Sequence, residues 1–197
     1  MKTLGRPLDD DDRAMADLAE VGDWRRVGGP HTGETGPVPV RKLIKRVKSA
    51  TGWRPWPLDR KTVIDDQLDG WGFLTKRGTE MAVYDDQILP HSPFSGWVAF
   101  AIERYDIRAA EAGLDEHWPA KFDLALRHWG EPAYVGSDSS PEFVDEWSPG
   151  AGRDRRHLAV WAPPGAELHL YSNKPTKYPL SVSVGIHYAV YLTEEGT

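Results

Sequence analysis

The sequence predicts an α+β fold, with a mainly antiparallel, curved sheet of about six to eight strands and two or three helices packed on one face. Three observations lead to this prediction. From Gly70 onward, apolar residues tend to recur at every second position, which is typical of strands. The segments 40–51 and 115–129 instead carry apolar residues at helical spacing. Strands and helices do not alternate along the chain, so the strands are expected to pair antiparallel.

Composition limits the classes of protein to consider. The chain has 197 residues, with 24 Lys+Arg against 30 Asp+Glu and no cysteine. This length predicts a single α+β domain over residues 1–197, with an N-terminal arm of helix and loop at about residues 1–60. The lack of cysteine excludes disulfides, thiolate zinc sites and cysteine nucleophiles. The net charge of −6 argues against nucleic acid as a partner, since nucleic-acid binding needs a basic footprint.

The location is predicted from two further features. No apolar run approaches the length of a membrane-spanning helix, so no membrane partner is expected. The first residues lead into Asp9–Asp12 rather than into an apolar segment, so no secretory signal is predicted. A cytoplasmic location is therefore expected.

The N-terminal arm is predicted to contain two helices. Asp9–Asp12 suit the start of a short helix that Gly22 ends. Pro39 suits the first position of a second helix, over 40–51, which has one apolar stripe and is otherwise basic. Residues 40–61 carry eight basic residues and one acid, on a chain that is otherwise acidic. This basic segment is either a solvated helix face or a surface for an anionic partner.

The Gly- and Pro-rich segment 28–39 lies between these helices and predicts a loop. It lacks the Gly-Lys-Ser/Thr sequence of phosphate-binding loops.

The middle of the chain predicts three strands and one helix. Residues 71–76 and 81–85 form a predicted hairpin with Arg77-Gly78 in its turn. Residues 97–103 are apolar on both faces, which predicts a central strand, and 89–96 predicts a loop. The helix at 115–129 is expected to begin with Asp115 as its N-cap, to hold Pro119 in its first turn and to end at Gly130. Residues 107–113 are compatible with a preceding helical turn.

The C-terminal third predicts an antiparallel meander with one turn at Pro164-Gly165. The last strand alternates most clearly between an apolar and a less apolar face. The predicted strands are Glu142–Trp147, His157–Ala162, Glu167–Tyr171 and Leu180–Tyr191, and the predicted loops are 136–141 and 148–156.

Motifs for common chemistry are missing from the sequence. There is no HExxH, no nucleophile elbow and no dinucleotide fingerprint, so no cofactor, no metal and no catalytic residue is predicted. His117 and His128 share a helix face, but they are about 16 Å apart along the axis and cannot share a metal. His169 and His187 can approach across neighbouring strands, either as ordinary cross-strand polar residues or as part of a site.

The order of elements over about residues 70–190 provides a resemblance. A strand pair (GWGFL and TEMAVYDD) and a third strand precede a helix ending in LALRHWGEP. An acidic segment ending in Trp (EFVDEW) and a meander (HLAVWAPPGAELHLYSN) follow. This order resembles that of small, uncharacterised actinobacterial-type immunity proteins of polymorphic toxin systems. The resemblance implies a cytoplasmic, non-enzymatic protein that binds and neutralises a cognate toxin and has no catalytic residues.

Acidic segments beside Trp are the predicted binding surface. An acidic inhibitor gains association rate by electrostatic steering and gains affinity from aromatic anchors, which suits a toxin with a basic cleft. The same acids could instead serve only solubility. The predicted partner-binding residues are Asp65, Asp66, Asp69 and Trp71, together with Glu142, Asp145, Glu146 and Trp147.

Two other functions stay open. One is a small hydrolase or other enzyme with a non-local site near His169, Tyr171 and His187. The other is a small-ligand or glycan-binding module that uses exposed members of the nine Trp residues.

Overall fold

The computed structural model describes residues 2–5, 7–28, 40–56, 71–83, 87–90, 97–101, 104–140, 143, 155–173, 176–177 and 182–193. This part of the chain holds helices and mainly antiparallel strands, which confirms the predicted α+β class. The helices are α1 (Leu8–Ala19), α2 (Arg25–Gly28), α3 (Val40–Thr51) and α4 (Arg104–Trp129). The strands are β1 (Lys2–Gly5), β2 (Arg54–Pro55), β3 (Trp71–Leu74), β4 (Glu80–Val83), β5 (Gln87–Pro90), β6 (Trp97–Ala101), β7 (Tyr134–Ser137), β8 (Arg155–Trp161), β9 (Ala166–Asn173), β10 (Thr176–Lys177) and β11 (Val182–Leu192).

The chain falls into two compact units. The first unit comprises Met1–Asp11, Phe94–Trp161 and His169–Tyr188. The second unit comprises Asp12–Pro93, Ala162–Leu168 and Ala189–Thr197.

Strands in the first unit follow the order β7-β8-β9-β11-β6-β1. Strand β6 pairs antiparallel with β1 on one side and β11 on the other, so the prediction of a central strand from its apolar faces is confirmed. The meander is also confirmed, since β8, β9 and β11 are neighbours and the turn falls at Pro164-Gly165.

Aromatic side chains join α4 to the strands of the first unit. The Trp161 indole N–H donates a hydrogen bond to the Gly130 carbonyl at 2.7 Å, which satisfies its buried donor. Trp129 packs edge-on against Trp161, with ring centroids 5.0 Å apart, and lies 6.3 Å from the ring of Tyr188. Such edge-to-face pairs are favoured by the aromatic quadrupole.

Helix α4 is longer than predicted. It begins at Arg104, so Asp115 lies inside the helix and is not its N-cap, and Pro119 is also an interior residue. The apolar face continues before Asp115, because Ala110 and Leu114 are fully buried. Burial of that face favours helix over the first turns and offsets the hydrogen bond that Pro119 cannot donate.

Other strand predictions differ from the structure in detail. The predicted loops 89–96 and 136–141 each overlap a short strand, β5 and β7, whose four residues are too few to show a clear alternation. Strand β8 begins at Arg155, inside the predicted loop 148–156. Of the predicted strand 142–147, only Phe143 lies within the described residues.

In the second unit, strand neighbours follow the order β2-β3-β4-β5-β11. The β3–β4 hairpin is confirmed, with Arg77-Gly78 in its turn and Phe73 paired with Met81. Two hydrogen bonds close the turn, from the Thr75 N–H to the Thr79 carbonyl at 2.9 Å and from the Thr79 N–H to the Thr75 hydroxyl at 2.8 Å.

The predicted basic helix is also confirmed. Leu43 and Val47 of α3 are buried, and Trp53, two residues beyond the end of the helix, is buried as well. Gly52 ends the helix at a positive φ of 74°, as expected for a C-terminal cap. Within the described part of the chain, no helix combines the length and apolarity that a membrane crossing requires.

Candidate functional site

Most of the predicted acidic binding surface lies outside the described residues. This applies to Asp65, Asp66, Asp69, Glu142, Asp145, Glu146 and Trp147, so their role stays a prediction. Trp71, the first residue of β3, is half-buried. Its indole N–H is shielded from solvent and has no hydrogen-bond partner within the described part of the chain.

The three residues of the alternative site are brought together by strand pairing in the first unit. His169 and Tyr171 stand two positions apart on β9, so they share one face of that strand. Strand β11 lies beside β9, and the ring of its His187 is 5.6 Å from the Tyr171 ring, measured between centroids. Their function stays a prediction, but their proximity is a feature of the fold.

Sequence reasoning missed a fourth member, Arg155, because it lies in a segment predicted to be a loop. Its Cζ lies 4.4 Å from the centroid of the Tyr171 ring, which is cation–π geometry. Its Nη1 is 3.4 Å from Nδ1 of His169. Arginine can only donate, so this contact requires an unprotonated Nδ1 on His169. These residues, Arg155, His169, Tyr171 and His187, are called the Arg155 cluster below.

The charge of the Arg155 cluster is unbalanced among the described residues. Arg155 is only 6% exposed, and no described carboxylate lies within ion-pair distance of it. Burial lowers the pKa of His187 to about 4, so this imidazole is neutral near pH 7. The cluster thus presents one buried positive charge beside the Tyr171 ring and the His169 imidazole, with the neutral His187 imidazole against the same ring.

A second candidate site is a cleft between α2 and α3 in the second unit. Its volume is about 520 Å³, which is within the range of small-ligand pockets. The lining contains five cationic side chains and no carboxylate. The lining residues, called the basic cleft below, are Arg25, Arg26, Lys42, Lys45, Arg46, Ser49 and Ala50.

The helical spacing of α3 explains why cations line the basic cleft. The buried Leu43 and Val47 fix one face of the helix against the core, and exposed Lys42 and Lys45 lie on other faces. Asp23 pairs with Arg25 through two hydrogen bonds of 2.7 and 3.0 Å, so the charge of Arg25 is compensated. Within the described part of the chain, no ion pair compensates Arg26, Lys42 or Lys45.

A third cluster lies on the surface of the first unit, around Asp115. Arg156 donates two hydrogen bonds to its carboxylate, at 2.9 and 2.6 Å, and Nε2 of His157 lies 3.1 Å from it. Partial burial opposes ionisation, but the hydrogen bonds from His157 and Arg156 outweigh it and lower the pKa of Asp115. Trp118 stacks on His157 at 4.9 Å between ring centroids. These contacts join α4 to β8, which is a structural role.

A fourth polar group is buried in the core of the first unit. Lys121 and Asp11 form an ion pair, and the Tyr188 hydroxyl donates a hydrogen bond to the same carboxylate at 3.0 Å. All three residues are at least nine-tenths buried, and each has a polar partner. Such a satisfied, closed network stabilises a core and offers no room for a substrate.

Over the residues that the structure describes, no three or more His, Asp or Glu side chains are grouped as a metal ion would require. In comparisons with known proteins, no family model, curated protein or solved structure matches this chain.

Proposed function

We propose that this protein is a non-catalytic binding protein of the immunity type, which captures an anionic surface of its protein partner, a cognate toxin, in the basic cleft. The observation that supports this is a concave surface with several uncompensated cations on a chain of net charge −6. The predicted acidic segments near Trp71 and Trp147 remain a separate part of the proposal. They would contact basic regions of the same partner.

A protein partner fits the basic cleft better than a nucleic acid does. A nucleic acid is a long, uniformly charged polyanion, which the net negative charge of this chain repels at long range. A protein can instead place a few carboxylates opposite a compact cationic cleft. Arginine then binds a carboxylate through two parallel hydrogen bonds, and lysine contributes as a point charge.

The solvent exposure of the two lysines of the basic cleft predicts how they contribute to partner binding. Lys42 and Lys45 are solvent-exposed, so their main effect is on the association rate and on its dependence on salt. Leu43 and Val47 hold α3 against the core, which fixes the cations in place before the partner arrives.

The test is a pair of charge-reversal variants of equal net charge. Lys42→Glu/Lys45→Glu changes the basic cleft, and Arg54→Glu/Arg108→Glu changes two exposed residues elsewhere. The partner would be isolated from the native host with the wild-type chain, identified, purified, and titrated against each variant at several salt concentrations. We expect the cleft variant to bind at least about tenfold more weakly and with a flatter salt dependence, and the control variant to bind within about threefold of wild type.

Three outcomes would contradict the proposal. One is equal affinity for both variants, which would remove the cleft from the interface. Another is a nucleic acid that is bound through the same lysines. The third is a purified partner whose toxicity persists when it is co-expressed with the wild-type chain.

A further inference from the structure

We propose that the Arg155 cluster binds the carboxylate group of a small molecule, with the Arg155 guanidinium as its main ligand. This inference concerns the first unit and does not rest on the proposed function. Arg155 is buried and has two contacts among the described residues, a hydrogen bond with His169 and a cation–π contact with Tyr171.

The charge of Arg155 needs a counter-charge that the described residues do not supply. A buried ion is costly unless it is paired and hydrogen-bonded. The guanidinium has five N–H donors, and the described residues accept from one of them, through a contact of 3.4 Å with His169. The Tyr171 ring lies against the guanidinium carbon and attracts the cation, but it cannot accept the in-plane N–H bonds.

Charge and shape together favour a carboxylate. The cluster offers one positive charge, and His187 stays neutral because burial lowers its pKa to about 4. A monoanion therefore balances the site, while a phosphate dianion would leave a buried negative charge. A carboxylate also matches the planar guanidinium fork with two parallel hydrogen bonds.

The neighbouring side chains complete such a site. The Tyr171 ring packs against the guanidinium, Nδ1 of His169 lies 3.4 Å from it, and the His187 ring packs against the Tyr171 ring. Tyr171 and His187 are half-buried whereas Arg155 and His169 are buried, so one side of the cluster is accessible to solvent. This gradient of exposure suits a ligand that enters with its carboxylate first.

The chain offers a matched control in the next residue. Arg156 already pairs with Asp115 at the surface, so its charge is compensated. Arg155→Gln removes the guanidinium that is proposed to bind the carboxylate, and Arg156→Gln removes an arginine one position away.

Binding would be measured by NMR titration with acetate, benzoate and succinate, with phosphate and sulfate as comparison anions at constant ionic strength. In the wild type we expect saturable shifts of the Arg155 Nε–Hε signal and of the ring signals of Tyr171 and His187. The titration midpoint of His187 should rise from about 4 when carboxylate is bound, because a nearby anion favours the imidazolium. Arg155→Gln should weaken binding at least tenfold, and Arg156→Gln should leave it unchanged within about twofold.

Several outcomes would overturn the inference. One is the absence of saturable shifts in wild type, which would mean that the chain balances Arg155 itself. Tighter binding of phosphate than of every carboxylate would refute the ligand class. Equal losses in both arginine variants would refute the site. If Arg155→Gln does not fold, the wild-type shifts and the change in the His187 midpoint still decide the question.

Discussion

Two buried cations of the first unit differ in how their charges are balanced. Lys121 and Arg155 are each 6% exposed. Lys121 is paired with Asp11, which also accepts a hydrogen bond from Tyr188, whereas Arg155 has an aromatic and an imidazole neighbour. The same burial therefore indicates a structural core in one case and a ligand site in the other.

Removal of the Lys121 charge should be strongly destabilising. Lys121→Met would remove the ammonium group that pairs with the fully buried Asp11 carboxylate, and we expect the free energy of unfolding to fall by about 3–5 kcal/mol. The double variant Lys121→Met/Asp11→Asn removes both charges and should recover much of that loss. Urea unfolding followed by Trp fluorescence would measure these differences.

The exposed Lys48 of α3 provides the control for this prediction. Lys48→Met should change the free energy of unfolding by no more than about 0.5 kcal/mol. If Lys121→Met were as mild as Lys48→Met, or the double variant worse than the single, the ion pair would not carry the stability assigned to it.

Among the elements, two turns of the second unit use glycine in the left-handed region for different reasons. Gly78 in the β3–β4 turn has a φ of 82°, and no atom lies within 4 Å of the position that a Cβ would occupy. Gly165 in the β8–β9 turn has a φ of 81°, and a Cβ there would overlap the backbone nitrogen of Arg25. Gly78 is thus needed only for its positive φ. Gly165 is needed for its positive φ and also because α2 approaches its backbone closely.

Alanine substitutions should separate these two requirements. Gly78→Ala should lower the free energy of unfolding by about 1–2 kcal/mol, the cost of a left-handed alanine. Gly165→Ala should cost at least about 1 kcal/mol more, since backbone atoms must move as well. Chemical denaturation of the two variants side by side would measure the difference. Equal decreases in the free energy of unfolding would show that α2 shifts to accommodate the added methyl group without loss of stability.

At the scale of the whole molecule, several ionisable groups are expected to lower the stability of the folded state as the pH falls. Hydrogen bonds from Arg77 and Arg25 lower the pKa of Glu20 and Asp23 respectively. The pKa of Asp115 is lowered as well, and burial lowers that of His187 to about 4 from 6.5. In each case the unfolded chain binds a proton at a higher pH than the folded chain does, so acid favours unfolding.

Stability should therefore fall in two stages between pH 7 and pH 3. Between about pH 6.5 and 4, His187 lowers the free energy of unfolding by up to about 1.4 kcal/mol for each pH unit. The carboxylates lower the free energy of unfolding as the pH falls below their ordinary pKa values, which are 4.5 for Glu and 3.8 for Asp. Thermal unfolding midpoints over this range would test the prediction.

The variant His187→Gln isolates the first stage. Its midpoints should depend less on pH between about 6.5 and 4 than those of wild type, and should follow wild type at lower pH. A wild-type stability maximum below pH 6, or an identical pH profile for His187→Gln, would contradict the assignment.

Local patterns in the sequence were enough for some elements of this molecule. The α3 stripe, the Gly52 cap and the β3–β4 turn depend on residues within a few positions of one another, so periodicity and turn chemistry predict them. The basic character of α3 was also predicted, but the cleft was not, because its other wall is α2, which no pattern indicated.

The sequence by itself determined the α+β class, the antiparallel pairing and the charge of α3, because each follows from periodicity or composition over short windows. Tertiary structure alone decided the length of α4, where burial of Ala110 and Leu114 extends the helix beyond its predicted start. It also placed Arg155 against Tyr171 and His169. The physical reason is that strand pairing and burial depend on residues distant in the chain, which no local pattern specifies.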